Sequence, residues 1–196
     1  MAKKIKTKRK ILEAAKTIFA KKGFDGSSVD EIASEAGVKK ALIFYYYPTK
    51  DSLFLEAWTE GIDELEQHIF GNFDNGNSYL TRFKKVLKSY IDFVMNRKEI
   101  MKLIEMDKTK IIESNEHTAE NLQSLKLRYN AFIQKIETLI DEGKTEGAIP
   151  ETIPTRVTAN LIAESMNTGT IENDLSMENI VKFIMNGMAI QPDQSS

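Results

Sequence analysis

The sequence predicts an all-α protein of about nine helices, divided into a small N-terminal module and a larger helical domain. Apolar residues recur at helical spacing along most of the 196 residues, and no segment alternates as strands do. Residues 1–50 carry twelve basic and five acidic side chains, a net charge of +7, whereas residues 51–196 carry fifteen basic and twenty-four acidic ones, a net charge of −9. This asymmetry favours a segment that binds a polyanion, joined to one that does not.

Composition excludes several classes of protein. Hydrophobic residues make up 41% of the chain and charged residues 29%, which is typical of a globular protein and not of a disordered one. The absence of cysteine excludes disulfides, thiolate metal sites and cysteine nucleophiles. No apolar run approaches the roughly 20 residues that span a bilayer, and the basic start leads into no signal-peptide core. We therefore expect a soluble, cytoplasmic protein without a membrane partner.

Three short helices are predicted at the N-terminus. The first covers residues 7–22 and shows one apolar face. Ser28 and Glu31 form a capping-box pattern that begins the second helix, and Gly37 ends it. The third helix covers residues 39–46. Two helices joined by a short turn that contains glycine are typical of the helix-turn-helix arrangement.

The third of these helices has an unusual surface. At 100° per residue, Ile43 and Tyr47 face the core. The other apolar side chains then face solvent or flank that face: Ala41, Leu42, Phe44 and Tyr45. Such a face suits a DNA groove, because apolar groups contact thymine methyls and tyrosine hydroxyls reach phosphates. Ordinary core packing is the alternative, and neighbouring lysines favour DNA over it: Lys39, Lys40 and Lys50.

Six more helices complete the prediction. Thr49 is the expected N-cap of the fourth helix, and later boundaries follow apolar stripes and turn residues. Their approximate ranges are 49–69, 80–94, 100–106, 122–143, 155–169 and 176–190. We expect a DNA-binding domain over residues 1–49 with a basic N-terminal arm, and a second helical domain over residues 50–196.

The segment from residue 8 to residue 55 resembles the DNA-binding module of the tetracycline-repressor (TetR) family of transcription regulators. The resemblance is carried by KRKILEAAKTIFAKKGF, SSVDEIASEAGV and KKALIFYYYPTKDSL. It implies that Ser28 and Lys50 contact phosphates and that Lys39 and Lys40 open the recognition helix. It also implies a set of residues that face DNA: Ala41, Leu42, Phe44, Tyr45 and Tyr46. The family often has a small capping residue at position 39 and threonine at position 42.

The same resemblance implies what the larger domain does. Its helices would enclose an effector pocket, and the last two, at 155–169 and 176–190, would form the homodimer interface. Nine apolar side chains are candidates for lining the pocket, although Met and aromatic stripes at helical spacing more often indicate plain core packing: Trp58, Ile62, Tyr90, Val94, Met101, Ile104, Tyr129, Phe132 and Met166. The resulting prediction is a repressor that leaves double-stranded operator DNA when a small apolar effector binds. The alternative is an all-helical ligand-binding or structural module without DNA-binding activity.

The basic start of the chain leaves two interpretations open. Its side chains either reach the DNA backbone or minor groove, or form a solvated tail: Lys3, Lys4, Lys6, Lys8, Arg9 and Lys10. We predict no enzyme, catalytic residue, metal or cofactor, since no triad pattern occurs. Two His–Glu pairs at i, i+4 spacing, Glu64–His68 and Glu113–His117, lack a third ligand and are predicted to be surface salt bridges.

Overall fold

The structure is a computed structural model that describes residues 2–71, 77–106, 119–166 and 177–188. Within those ranges it contains nine helices and no strand, so the predicted all-α class is confirmed. The helices are α1 (Ala2–Lys22), α2 (Val29–Ala36), α3 (Lys40–Tyr46), α4 (Lys50–Phe70), α5 (Tyr79–Asn96), α6 (Lys98–Met106), α7 (Ala119–Thr145), α8 (Thr155–Ser165) and α9 (Met177–Gly187).

Packing divides the described residues into two compact units. The first unit takes those of 1–63 and 99–128, and the second takes those of 64–98 and 129–196. The divisions fall inside α4, α6 and α7, so these helices contribute residues to both units. The predicted functional boundary between residues 49 and 50 is a division of another kind, and it stays a prediction.

In the first unit, α1 and the turn that follows it pack on α4. α2 contacts both α1 and α3. The rings of Phe19 and Phe24 each meet Phe54 of α4, with centroids 5.1 and 5.2 Å apart. Lys16 is buried between α1 and α4, where its Nζ lies 2.5 Å from a carboxylate oxygen of Glu60. These contacts anchor α1 on α4, and the helix-turn-helix is joined to α1 through α2.

In the second unit, α5 is the central helix. Its buried side chains include Phe83 and Tyr90, and the Tyr90 ring packs edge-on against Phe132 of α7 at 6.0 Å. The Tyr90 hydroxyl donates to the carbonyl of Ala163 in α8 at 3.4 Å, and α9 also contacts α5. Arg82 lies largely buried and pairs with two carboxylates near the end of α7, those of Glu142 and Glu146.

The two largest differences from the predicted helix boundaries lie at the start of α1 and at the end of α8. α1 begins at Ala2 and not at residue 7, so the expected basic arm is helical where the structure describes it. Lysine has good helix propensity but adds nothing to an apolar stripe, which explains why the pattern missed this turn. α8 ends at Ser165, followed by Met166 outside helical geometry at φ −87° and ψ 51°. The remainder of its predicted range, 167–169, lies outside the described residues.

The predicted pairing of Glu64 with His68 is wrong. His68 Nε2 lies 3.0 Å from Oδ2 of Asp92 on α5, and the carboxylate of Glu64 instead pairs with Arg97. Tertiary partners therefore replace the neighbour one helical turn away. The second predicted pair, Glu113 with His117, lies outside the described residues.

Candidate nucleic-acid interface

α3 exposes its aromatic side chains and buries only one edge. Ile43 and Tyr47 are 1% and 2% exposed, whereas Phe44 is 41% and Tyr45 is 66% exposed. Ala41 is also exposed, and the side chains flanking it are half-buried or exposed. Large apolar groups that remain in water contribute no hydrophobic stabilisation to the fold. An exposed aromatic patch on so short a helix is therefore typical of a binding surface.

Local structure fixes both ends of α2, the helix before α3. The Ser28 hydroxyl accepts from the Glu31 backbone N–H at 3.2 Å, and the Glu31 carboxylate accepts from the Ser28 N–H at 2.9 Å, which completes the predicted capping box. At the other end of α2, Gly37 has φ +59° and ψ 43°, a left-handed conformation that favours glycine. The sequence therefore sets both the start of α2 and the turn that aims α3.

Glu31 also joins the capping box to α1. Its carboxylate pairs with the Lys22 ammonium, and this contact, together with the hydrogen bonds from Ser28, lowers the pKa of Glu31. Because Ser28 is half-buried and already engaged in the cap, its predicted phosphate contact would have to share the hydroxyl.

The three predicted lysines differ in their surroundings. Lys39 is exposed and is the N-cap residue of α3, with no side-chain cap bond. Lys40 pairs with Asp30 at 2.7 Å. Lys50 donates from Nζ to the backbone carbonyl of Ser27 at 2.6 Å, and its ammonium stands 4.4 Å from the centroid of the Phe24 ring. Lys50 therefore has a structural role that sequence reasoning missed.

The first turn of α1 also reaches α3. Lys4 Nζ donates to the Tyr45 hydroxyl at 3.1 Å, and the Tyr46 hydroxyl donates to the Lys4 carbonyl at 3.4 Å. From the sequence alone, the basic N-terminal residues could either contact DNA or form a solvated tail. The two alternatives could not be separated, because only the fold brings residues 4 and 45 together.

The nine predicted effector-lining residues are all buried, and they are divided between the two units. Trp58, Ile62, Met101 and Ile104 belong to the first unit. The others belong to the second unit: Tyr90, Val94, Tyr129, Phe132 and Met166. The second unit encloses a cavity of about 10 Å³, lined entirely by apolar atoms. Its lining includes Tyr90 from the predicted set together with eight residues that the prediction did not name: Ile69, Phe70, Phe83, Val86, Leu87, Ile136, Leu139 and Ile162.

The last two helices expose large apolar side chains. Leu161 on α8 is 63% exposed and Phe183 on α9 is 77% exposed, and Val157 lies one turn before Leu161 and is also exposed. By contrast, Ile180 and Ile184 from the apolar stripe of α9 are buried within the chain itself. On α9 the large side chain available to a partner, that of Phe183, therefore lies beside the stripe and not on it.

Comparison with known proteins matches the fold and the N-terminal segment. Residues 11–57 match the family model for bacterial regulatory proteins of the tetR family. The uncharacterized HTH-type transcriptional regulator YfiR of Bacillus subtilis is 23% identical over 173 residues, which cover 88% of this chain and 82% of YfiR. IcaR of Staphylococcus aureus, an HTH-type negative transcriptional regulator of the biofilm operon icaADBC, is 28% identical over 102 residues. That match covers 52% of this chain and 54% of IcaR, so it spans about half of each protein.

Among solved structures, AibR in complex with isovaleryl coenzyme A and operator DNA superimposes with a TM-score of 0.73 at 18% identity. The match covers 93% of this chain and 97% of that chain, and it shows a shared fold. In the part of the chain that the structure describes, no helix combines the length and apolar character needed to cross a membrane. These relatives are regulators of transcription and not enzymes.

Proposed function

We propose that the chain is a TetR-family transcriptional regulator with a helix-turn-helix DNA-binding module, and that it is a repressor that leaves its operator when a small apolar ligand binds. Residues 1–49 are the DNA-binding domain and residues 50–196 bind the effector and the second subunit. The protein acts in the cytoplasm as a homodimer. The observation that carries the DNA-binding part is the exposed aromatic face of α3 after a turn formed by left-handed Gly37.

On this surface, aromatic rings and apolar side chains read the bases, whereas charged and hydroxyl groups hold the backbone. Tyr45 and its neighbours Ala41, Leu42, Phe44 and Tyr46 enter the major groove, where side chains meet base edges. Lys39, Lys40, Lys50 and Ser28 hold the backbone, which fixes the register without reading sequence. Lys39 is the best probe of a phosphate contact, because Lys50 is tied to Ser27 and its removal would also disturb the fold.

Repression and an apolar effector have separate support. IcaR is a negative regulator, which favours repression over activation. AibR was solved with an acyl thioester, and the cavity of this chain's second unit has an entirely apolar lining. About 10 Å³ holds no more than one water molecule, so a ligand must separate the packed side chains as it enters. An acyl chain meets that requirement because it replaces apolar contacts with apolar contacts.

Selection of binding sites from genomic DNA with the purified protein would identify the operator. Fluorescence anisotropy with that operator and a scrambled duplex then separates the two roles. We expect Tyr45→Ala to reduce the preference for the operator, and Lys39→Ala to weaken both duplexes alike while lowering the log-salt slope by about 0.9 for each bound protomer. Equal wild-type affinity for operator and scrambled duplex would reject sequence-specific binding.

The proposed effector is tested by its ability to release the protein from the operator duplex. Isovaleryl coenzyme A is the probe, and free coenzyme A is the matched control because it lacks the acyl group. We expect the acyl thioester to release the operator and coenzyme A to leave it bound. Release by both compounds would show that the nucleotide part is recognised, and release by neither would reject this acyl thioester as an effector.

A further inference from the structure

The first turn of α1 is held against the exposed tyrosines of α3. Besides its hydrogen bond to the Tyr45 hydroxyl, the Lys4 ammonium stands 5.1 Å from the centroid of the Tyr45 ring. Tyr46 binds the carbonyl of the same lysine. Two side chains of α3 therefore fix one residue of α1, and they fix it at the edge of the aromatic face described above.

The two helices border an open groove of about 510 Å³. It is lined by Lys4, Ile5, Lys8, Tyr45 and Tyr46. The charge of Lys8 is balanced by Glu56, whose carboxylate lies 2.6 Å away. Lys4 has no carboxylate partner among the described residues, and its contacts there are with neutral groups of the two tyrosines. The hydrogen bond to Tyr45 raises the pKa of Lys4, so the groove keeps a positive charge at neutral pH.

We propose that Lys4 and Tyr45 together bind one backbone phosphate of the operator, so that the DNA interface extends from α3 onto the first turn of α1. The inference rests on the proposed DNA-binding function and names a contact within it. An ammonium and a phenol hydroxyl 3.1 Å apart are both hydrogen-bond donors, and one phosphate offers acceptor oxygens to both.

Charge and position identify the occupant of the groove. An ammonium without an acidic partner attracts an anion, and the groove continues directly from the helix that faces DNA. Exposed Ile5 supplies an apolar surface beside the ammonium, which suits a deoxyribose next to its phosphate. In the free protein Lys4 donates to the Tyr45 oxygen. On DNA the ammonium turns to the phosphate, and the phenol donates its own proton to the same group.

The test is the salt dependence of operator binding by the full-length protein. Lys4→Ala removes the proposed contact, and Lys21→Ala is the matched control because it removes the same charge from an exposed lysine of the same helix. The two positions lie about 26 Å apart along the axis at 1.5 Å per residue. We expect Lys4→Ala to weaken operator and scrambled duplex alike and to lower the log-salt slope by about 0.9 for each bound protomer. Lys21→Ala should leave both quantities unchanged.

A double-mutant cycle tests whether the two residues share a phosphate. Tyr45→Phe removes the hydroxyl and keeps the ring. If one phosphate is shared, the loss of affinity in the double variant is smaller than the product of the two single losses. Lys4→Arg retains the positive charge and should keep the wild-type slope, and thermal melting by circular dichroism checks that each variant is folded.

The outcomes test the Lys4 contact, the shared phosphate and the proposed function separately. If wild type binds the operator but Lys4→Ala behaves like Lys21→Ala, the Lys4 contact is wrong and the proposed function stands. Independent losses in the cycle would overturn the shared phosphate, and a slope lowered equally by Lys4→Arg would show that Lys4 acts through packing and not through charge. Wild-type protein that binds no duplex would instead reject the proposed function itself.

Discussion

Substitution of Leu161 tests the proposed dimer interface on α8 and α9. Leu161 is 63% exposed in the isolated chain, so a partner subunit has most of this side chain left to bury. Leu→Ala removes three carbon atoms, about 2.4 kcal/mol at about 0.8 kcal/mol each for complete burial. Scaled by the exposed fraction, the loss is about 1.5 kcal/mol per protomer, and a two-fold interface contains the residue twice. We expect dimerisation to weaken by about 3 kcal/mol, or roughly a hundredfold in Kd.

The chain offers a closely matched control for this substitution. Leu127 on α7 is 62% exposed, so Leu127→Ala removes the same atoms from an equally exposed position outside the proposed interface. Sedimentation equilibrium over a concentration series gives the monomer–dimer Kd of each variant. Because both leucines are largely exposed, neither substitution should change the stability of the monomer by more than about 0.5 kcal/mol.

Two results would contradict the proposed dimer interface. An equal effect of Leu161→Ala and Leu127→Ala on Kd would show that the loss is not specific to α8. A Kd unchanged by Leu161→Ala and also by Phe183→Ala would place the interface elsewhere, because Phe183 exposes an even larger fraction of its ring.

Two further predictions concern folding. Gly143→Ala should destabilise the chain by about 1–3 kcal/mol more than Gly61→Ala, as measured by urea unfolding. The added Cβ at position 143 would lie 2.6 Å from the buried Tyr79 hydroxyl, whereas at position 61 the nearest atom is an Ile100 methyl at 3.3 Å. Equal effects of the two substitutions would show that the Tyr79 side chain moves aside freely. Glu31 has a lowered pKa in the folded state, so its contribution to stability is present above its ordinary pKa of 4.5 and is lost as pH falls through the folded value. Glu31→Gln should therefore lose less unfolding free energy than wild type when the pH is lowered, as measured by urea unfolding at several pH values. Glu35→Gln on the same helix is the control. A Glu31→Gln variant that loses as much as wild type would contradict this prediction.

Local chemistry made the helix-turn-helix predictable. The Ser28–Glu31 capping box, the left-handed Gly37 and the burial of Ile43 each depend on residues close in sequence, and the structure contains all three. Such features need no knowledge of the rest of the fold, because caps and helix faces are set within one or two turns.

The features that the sequence did not predict depend on distant partners. Lys50 meets the Ser27 carbonyl and His68 meets Asp92, contacts across 23 and 24 residues of sequence that no local pattern encodes. On α9 the apolar stripe correctly marks buried residues, but the same pattern cannot separate burial within the chain from burial against a second subunit. Phe183 is identified as a candidate interface residue only once the structure shows which side chains the chain itself buries.

The proposed response to an effector requires a mechanical link, and α4 can supply it because this helix contributes Ile69 and Phe70 to the cavity lining and also contributes residues to the first unit. α4 begins four residues after the end of α3, and further along it the buried indole of Trp58 donates to the backbone carbonyl of Ile104 in α6 at 3.4 Å. Gly61, one turn later, leaves α6 close enough that an added Cβ would press on Ile100. These contacts tie α4 to α6, and through Phe54 and Glu60 α4 also holds α1, on which α2 packs. For release, the effector must bind the DNA-free arrangement more tightly. A hundredfold preference corresponds to about 2.7 kcal/mol, and by reciprocity the operator must weaken effector binding by the same factor.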